Sequence, residues 1–402
     1  MSELKRTVLY QAHLDAGATM VDFGGWDMPI QYPEGIVAEH LYCRRHCGIF
    51  DVSHMGRIDV EGKDMVAFLQ HVLSSNVLAL DINQAQYCII PDANGCAIDD
   101  AYLYRFEEGK YFLVINAGNI DKDWAHLTAE AKNFDVKLTN VSDKYAAIAV
   151  QGPESKKILM TLAGGRQLTP ENVKNALNSL TMEGKPVRIA KTGYTGEPIG
   201  YELYCNSEDA RYFWDRLIEL GAKPAALGAR DTTRMEAALP LYGHEMGECE
   251  MGGEIQIYAV PLAKFAVSFA PEKGDFIGRE PLKKQFEALK KIMNRDYSSI
   301  EDLPYRIQPV YLEGKGVLRK GFPIYCKDAW AEGKQIGYVT SGTMIPYYKT
   351  KGEGLETVFT DETGKRSIGL AYMDSRICQD FDIEIDIRGK RQPAKVVGYH
   401  IR

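Results

Sequence analysis

The apolar positions of this chain change their spacing from segment to segment, and these changes predict a mixture of helices and strands. Helical spacing predicts helices at residues 9–16, 35–45, 63–72, 121–131 and 210–220. Alternating or β-branched stretches predict strands at residues 57–60, 87–90, 101–106, 111–115, 146–150, 187–191 and 201–205. Residues 22–29 are predicted to form a loop. Because strands are followed by single helices, the pattern favours a layered α+β fold over a doubly wound sheet.

The last third of the chain has a different pattern. A charged helix is predicted over residues 282–293, and it runs into a polar segment that ends near residue 302. Beyond this boundary the chain is predicted to be mostly β, with short strands at residues 309–312, 335–339, 367–372, 382–387 and 394–399. Short strands separated by Gly and Pro are typical of a small barrel or sandwich.

Composition and charge narrow the class of protein. A chain of 402 residues exceeds what one compact core usually holds, so we expect two or three domains. The net charge of −7 argues against a nucleic-acid binder, which would normally carry a basic face. The chain has no apolar run of membrane-spanning length and no signal peptide, so we expect a cytoplasmic protein with no membrane contact. The eight cysteines lack a paired metal-binding spacing, so no metal site is expected.

Two arginines four residues apart are the first candidates for binding chemistry. Arg230 and Arg234 lie in a segment of helical spacing that ends near Pro240. Like charges at this spacing repel each other, and Asp231 can serve Arg234, three residues further on. Arg230 therefore needs another carboxylate, either from this protein or from a ligand. An ordinary network of ion pairs between helices is the alternative.

Two adjacent acidic residues stand just before a predicted strand. Alternation along the strand should turn Asp99 and Asp100 to opposite faces, so that only one of them meets a pocket. A carboxylate in a partly dry site can accept a proton or stabilise a nearby cation. The alternative is that the pair caps the turn after Asn94-Gly95, a frequent hairpin dipeptide.

A third acidic residue follows a Gly-rich turn at residues 192–200, where the backbone can come close to a flat ligand. Alternation places Glu202 on the face opposite Tyr201 and Leu203. A buried glutamate at this position would suit two adjacent N–H donors on the edge of a heterocycle. A solvated glutamate on an edge strand is the alternative.

A series of short motifs, in order along the chain, resembles the aminomethyltransferase (T protein) family of the glycine cleavage system. The motifs include Asp22-Phe-Gly-Gly-Trp26 and Leu227-Gly-Ala-Arg230-Asp231. The full set lies at residues 20–29, 48–55, 98–100, 114–117, 149–153, 192–197, 227–231, 241–246, 276–280 and 340–343. Each motif is weak alone, but the ordered set spans nearly the whole chain.

The resemblance implies a three-domain, cloverleaf-like α+β fold with a C-terminal β-barrel or sandwich domain. Residues 1–280 would form the folate-binding region, as two intertwined α+β subdomains (roughly 1–50 with 140–280, and 51–139), and residues 281–402 the barrel domain. The resemblance also implies tetrahydrofolate as co-substrate and lipoylated H protein as partner. The aminomethyl carbon on the lipoyl arm would pass to tetrahydrofolate, with release of ammonia.

Roles for individual residues follow from the resemblance. Asp99 is implied to be the catalytic carboxylate, close to the folate nitrogens and to an iminium-like carbon. Glu202 corresponds to the carboxylate that reads the pterin edge, and Arg230 to an arginine of the folate site. The remaining residues implied to bind folate are Tyr87, Tyr104, Asn116, Tyr194 and Arg402.

Three segments depart from the family pattern. They are an altered loop at Cys249, an apparent insertion at residues 290–305, and an altered loop at Met344 followed by extra polar residues through Lys365. The changes concern the side that would meet the one-carbon donor. A tetrahydrofolate-dependent demethylase, acting on an O-, S- or N-methyl donor with the same fold, is therefore the alternative function.

Overall fold

The computed structural model describes residues 3–328, 330–352 and 357–398 of the chain. Over these residues the helices are α1 (Tyr10–Asp15), α2 (Ile36–Arg45), α3 (Met65–Val72), α4 (Ile120–Ala131), α5 (Ser155–Leu162), α6 (Ala210–Glu219), α7 (Leu227–Glu236), α8 (Ala263–Ala266) and α9 (Arg279–Met293). The strands are β1 (Thr19–Phe23), β2 (Trp26–Gln31), β3 (Gly48–Asp51), β4 (Gly56–Glu61), β5 (Gln84–Pro91), β6 (Ala97–Glu107), β7 (Lys110–Ile115), β8 (Lys137–Asn140), β9 (Tyr145–Gln151), β10 (Leu177–Met182), β11 (Lys185–Ala190), β12 (Gly200–Asn206), β13 (Lys223–Pro224), β14 (Gly247–Glu248), β15 (Glu254–Ile255), β16 (Tyr305–Leu312), β17 (Pro323–Cys326), β18 (Gln335–Lys351), β19 (Val358–Asp374), β20 (Asp382–Ile387) and β21 (Lys390–Val396). Every helix and strand predicted from spacing overlaps one of these elements.

The chain forms two compact units. The first contains the residues up to Asp92 together with Ile98–Arg230 and Phe265–Ile277. The second contains Ala93–Ala97, Asp231–Lys264 and the residues from Gly278 onward. The division into domains inferred from the resemblance, with a boundary at residue 280, stays a prediction.

The first unit contains two larger sheets and the hairpin β1–β2. One sheet has six strands in the order β10-β11-β12-β9-β3-β13, and the other has five in the order β5-β6-β7-β4-β8. Their facing sides share one apolar core, which includes Phe50, Tyr104, Phe112, Ala149 and Tyr204. Buried residues of α1, α5 and α6 join the core on the other side of the six-stranded sheet. Buried residues of α3 and α4 form a further apolar core with the outer face of the five-stranded sheet. The unit is thus built in layers, as the α+β pattern predicts.

The second unit is built around a closed antiparallel barrel. Its six strands follow the order β16-β19-β18-β17-β20-β21, and β21 pairs with β16 to close the ring. Apolar side chains from these strands fill the interior, among them Val310, Ile324, Val339, Ala371 and Ile385. The mostly β region predicted for the end of the chain is confirmed as a barrel.

Two segments predicted as loops are strands. Residues 22–29 lie largely in the hairpin β1–β2, which turns at Gly24 and Gly25, both with positive φ. Few side chains of β1 and β2 are buried, so alternation fails to reveal the strands, although a Gly-Gly pair favours such a turn. Met344 lies inside β18, which pairs with β19 along almost its whole length. Most of the first half of β19 is exposed, so cross-strand pairing rather than burial holds that half in place.

Within the described residues, no helix combines the length and the apolar character needed to cross a membrane. The eight cysteines are all free thiols in the structure, and six of them are buried. Buried thiols of this kind behave as small apolar side chains.

Candidate active site in the first unit

A row of aromatic rings links β5 and β6 with the six-stranded sheet. The ring centroids of Tyr87 and Tyr102 are 6.0 Å apart, and those of Tyr102 and Tyr104 are 5.5 Å apart. Tyr104 in turn lies 5.7 Å from Tyr204 on β12. Such rings combine flat apolar faces with hydroxyl groups, a surface suited to a flat polar ligand. The row contains two predicted residues, Tyr87 and Tyr104, and two that the sequence analysis missed, Tyr102 and Tyr204.

Two carboxylates lie at the Tyr87 end of this row. Asp99 is fully buried and accepts three hydrogen bonds, from the backbone N–H of Asn116 (3.0 Å), its side-chain Nδ2 (2.8 Å) and the Nδ2 of Asn119 (2.6 Å). Asp100 is half-buried and accepts from the Tyr87 hydroxyl (2.9 Å) and from Asn116 Nδ2 (2.8 Å). These contacts tie β6 to the segment after β7, which favours a role in a pocket over capping of the turn at residues 94–95.

Burial alternates along β6, with Asp99 buried and Asp100 half-buried, so the prediction that the two side chains face opposite sides is confirmed. Which of them meets a ligand stays a prediction. The two carboxylates nevertheless share a hydrogen-bond donor. In the antiparallel pair β6–β7, Ala101 lies opposite Ile115, so the next residue, Asn116, follows directly beside Asp100. The Asn116 amide therefore reaches both carboxylates at the end of the strand pair. Burial, and next the charge of Asp99, raise the pKa of Asp100 to about 7.

Glu202 lies at the Tyr204 end of the row. Its neighbours Tyr201 and Leu203 belong to the core on the helical side of the sheet, so the prediction that Glu202 faces the other way is confirmed. Its Oε2 accepts hydroxyl hydrogen bonds from Thr192 (2.6 Å), Tyr104 (2.8 Å) and Tyr204 (3.4 Å). Tyr204 has a single hydroxyl proton and also donates to the Tyr104 oxygen, at 3.1 Å, so the Thr192 and Tyr104 hydroxyls are the two closer donors. These donors fix the carboxylate and set the direction of Oε1. Burial and the charge of Glu202 raise the pKa of Tyr104.

Arg230 and Tyr194 form a further pair of predicted site residues. The guanidinium carbon of Arg230 lies 5.6 Å from the centre of the Tyr194 ring. Burial lowers the pKa of Arg230, while the charge of Glu202 acts in the opposite direction. Tyr194 also acts electrostatically on Tyr87. Glu202 therefore acts on Arg230 as a nearby negative charge from this protein, and a ligand anion as the partner of Arg230 stays a prediction.

Arg234 has a structural environment in the second unit. It is 1% exposed and donates to Asp231 (2.9 Å), to Glu245 (3.2 Å) and to the Ser341 hydroxyl (3.0 Å). The predicted pairing of Asp231 with Arg234 is confirmed. For this arginine the ion-pair network, first considered as the alternative, is what the structure shows.

The Gly-rich segment before β12 is fastened by the side chain of Gln151. The Nε2 of Gln151 donates to the carbonyls of Tyr201 (2.9 Å) and Thr192 (3.2 Å), and its Oε1 accepts from the Thr195 hydroxyl (2.7 Å). A Cβ atom at Gly193 would overlap with the amide of Gln151. A glycine at position 193 is therefore required for this anchor to form.

We expect Gly193→Ala to destabilise the protein by about 1–3 kcal/mol, the range for an overpacked site, because Gln151 must move. The midpoint of urea unfolding would measure the loss. Gly118→Ala is the control, since a Cβ there meets nothing within 4 Å and φ is not positive. That variant should lie within about 0.5 kcal/mol of the wild type, and equal losses in both variants would contradict the role of Gln151.

A cavity of about 440 Å³ opens beside the Glu202 cluster. Tyr102 and Thr192 line it together with two basic side chains, Lys174 and Lys191, and two acidic ones, Glu171 and Glu197. Six of the residues brought to the site are not among the predicted site residues, namely Tyr102, Asn119, Lys174, Lys191, Thr192 and Tyr204. Their types are common in loops and strands, and only the approach of separate elements shows their grouping.

Seven of the eight predicted site residues fall in the first unit. Asp99, Asn116 and Tyr87 form one group, Glu202 and Tyr104 form a second, and Tyr194 and Arg230 contact each other as a pair. Arg402 lies outside the described residues. Within the part of the chain that the structure covers, no group of three or more His, Cys, Asp or Glu side chains is arranged to hold a metal ion.

Comparisons with known proteins show the family of the chain. The family model described as the GCVT N-terminal domain matches residues 9–258. An aminomethyltransferase of Deinococcus deserti is 39% identical over 395 residues, which are 97% of this chain and 95% of the relative. An aminomethyltransferase of Thermus thermophilus is 39% identical over 391 residues, 97% of each chain.

A solved structure supports the same assignment. The glycine cleavage system aminomethyltransferase T from Bartonella henselae superposes with a TM-score of 0.79 at 27% identity, covering 99% of this chain and 98% of that chain. The α+β T-protein fold inferred from the motifs is therefore confirmed. Since the family model matches more than half of the chain and the relatives align over nearly all of it, the chain belongs to the glycine cleavage T-protein family.

Proposed function

We propose that the protein is the aminomethyltransferase of a glycine cleavage system and moves a one-carbon unit from the lipoyl arm of H protein to tetrahydrofolate. One observation carries this proposal. A row of tyrosine rings connects the carboxylates of Asp99 and Asp100 with Glu202, whose carboxylate is held by hydroxyl groups. The two acidic ends differ in chemistry. One suits charge stabilisation, and the other suits recognition of a ligand edge.

Glu202 is assigned to recognition of the pterin edge. Its Oε2 is held by hydroxyl groups, so Oε1 is the oxygen we assign to the N–H donors of the ring. The faces of Tyr102 and Tyr104 provide apolar contact beside it. Lys174 and Lys191 in the adjoining cavity suit the carboxylates of a folate glutamate tail. The acceptor oxygen of Glu202, the tyrosine faces and the two lysines thus support tetrahydrofolate as the ligand.

Asp99 is assigned to the reaction itself. Tetrahydrofolate supplies the nitrogens that accept the one-carbon unit. The buried Asp99 carboxylate is held by Asn116 and Asn119, so it is oriented before a ligand arrives. In a site shielded from water, this negative charge stabilises the positive charge that develops on the transferred carbon. Arg230, beside Tyr194, is assigned to an acceptor atom of the ligand.

A single-turnover assay tests the function. Purified protein would be mixed with tetrahydrofolate and with H protein whose lipoyl arm carries the aminomethyl group, and methylenetetrahydrofolate and ammonia would be followed together. We expect both products to form at equal rates, and neither to form without the lipoyl group. Binding of tetrahydrofolate without either product would contradict H protein as the donor, and methoxy, methylthio and methylamino compounds would then test the demethylase alternative.

A further inference from the structure

A further aspartate, Asp123, is buried next to Asp99. Asp123 belongs to the first turn of α4, is 0% exposed, and has both carboxyl oxygens buried without a hydrogen-bond donor among the described residues. Its side chain is within hydrogen-bonding reach of the Asp99 carboxyl group, and Asp100 lies further along the same cluster. A buried carboxylate with no donor is costly, so its protonation state has a structural consequence.

The surroundings of Asp99 and Asp123 determine which of these two aspartates holds a proton. Asp99 meets only N–H donors, from Asn116 and Asn119, and so uses its oxygens as acceptors. Two adjacent buried carboxyl groups cannot both remain ionised. The proton therefore belongs on Asp123, where it can form the hydrogen bond that the pair otherwise lacks.

Two features oppose this assignment, and both are weaker. The positive end of the α4 dipole favours a negative charge in its first turn, but this effect is small beside the cost of a second buried charge next to Asp99. The one nearby cation acting on Asp123, Lys122, is on the exposed side of α4 and donates to the carbonyl of Ile98. Neither supplies a donor to the oxygens of Asp123.

We propose that Asp123 is a positioning residue that acts through Asp99: it stays protonated at neutral pH and donates its O–H to the Asp99 carboxylate. The proposal rests on the role of Asp99 in the proposed transfer. Together with the hydrogen bonds from Asn116 and Asn119, this O–H holds the Asp99 carboxylate in one orientation. The proton also prevents a second negative charge from forming beside it.

The stability of the protein should then depend on pH through this group. Burial, followed by the charge of Asp99, raises the pKa of Asp123 to about 10, with Asp100 acting in the same direction and Lys122 against it. Between about pH 4 and pH 10 the folded state holds a proton that the unfolded state has lost, so stability from this group falls as the pH rises. Asp123→Asn keeps an N–H donor without a charge, so its melting temperature should exceed that of the wild type, by more at pH 9 than at pH 5.

Infrared spectroscopy of the unliganded protein tests the proton directly. In D₂O at neutral pH, the wild-type spectrum minus the Asp123→Asn spectrum should contain the C=O stretching band of a protonated carboxylic acid. Asp121→Asn is the matched control, because Asp121 is exposed on the same turn of α4, and its difference spectrum should contain only carboxylate bands. Absence of the acid band for Asp123→Asn would overturn the proposal.

Steady-state kinetics of Asp123 variants test whether Asp123 acts through Asp99. Asp123→Leu cannot donate to Asp99 and should lower kcat about 10- to 100-fold, as losses of an orienting partner do, with little change in the KM for tetrahydrofolate. Asp123→Asn should stay within about threefold of the wild type, because it keeps the donor. Turnover of Asp123→Leu equal to that of the wild type would overturn the positioning role. If Asp123→Leu does not fold, the infrared and melting data for Asp123→Asn decide whether Asp123 is protonated. These data remain valid even if the one-carbon donor is not H protein.

Discussion

Asp99→Asn should lower the single-turnover rate at least about a hundredfold while the protein still folds and binds tetrahydrofolate. The amide keeps the size of the side chain and can still accept from Asn116 or Asn119, but it removes the negative charge. Charge stabilisation inside a buried site is worth far more than in water. The rate of methylenetetrahydrofolate formation, the dissociation constant of tetrahydrofolate and the melting temperature would be measured on the same preparation.

Asp100→Asn is the informative comparison. It makes the same chemical change one residue away, on a half-buried carboxylate that is held by Tyr87 and Asn116. We expect its rate to fall less than about tenfold. If Asp100→Asn instead shows the larger loss, the catalytic role belongs to Asp100 and Asp99 orients it. Unfolding of Asp99→Asn would show that Asp99 has a mainly structural role.

Glu202→Gln should weaken tetrahydrofolate binding by roughly ten- to a hundredfold, since a hydrogen bond to a charged group contributes about 1.5–3 kcal/mol. Oε2 receives the hydroxyls of Thr192, Tyr104 and Tyr204. A glutamine must either turn its NH₂ group towards these donors or present it to the ligand, and both arrangements lose acceptor contacts. Calorimetric titration would give the dissociation constant.

The effect of Glu202→Gln should be confined to binding. At saturating tetrahydrofolate its turnover should be close to that of the wild type, because we place Glu202 at the end of the site away from Asp99. Glu208→Gln, an exposed glutamate shortly after β12, is the control and should change neither quantity. A large fall in turnover with unchanged affinity would place Glu202 near the transferred carbon instead.

The sequence predicts local structure well where burial alternates. The strand around Glu202 is recognised because Tyr201 and Leu203 are buried on the opposite face, and the structure agrees. The hairpin β1–β2 and the outer part of β18–β19 are missed because they are held by pairing and have few buried positions. A pattern read along one segment has no signal for a partner strand elsewhere.

The site residues, too, are predicted only where the signal lies within one segment. The motifs single out Asp99 and Glu202, but the donors around them come from other elements, such as Asn119 before α4 and Thr192 before β12. Alternation along β6 correctly separates Asp99 from Asp100, but it does not show that Asn116, at the end of β7, donates to both carboxylates. Such a shared donor is visible only where the two strands of a pair end together.

The row of tyrosine rings gives the protein an optical probe of its own. Tyr87, Tyr102 and Tyr104 lie with their ring planes tilted by 40–55° at centroid distances of 5.5–6.0 Å, a fixed and chiral arrangement. Rigid aromatic packing of this kind produces near-ultraviolet circular dichroism, which is lost when tertiary packing loosens. Because burial raises the pKa of all three hydroxyls, an alkaline absorbance titration will ionise surface tyrosines first and leave the signal of the row intact. A ligand that packs against these rings should change their share of the ellipticity, which would follow occupancy without a label and without a reaction.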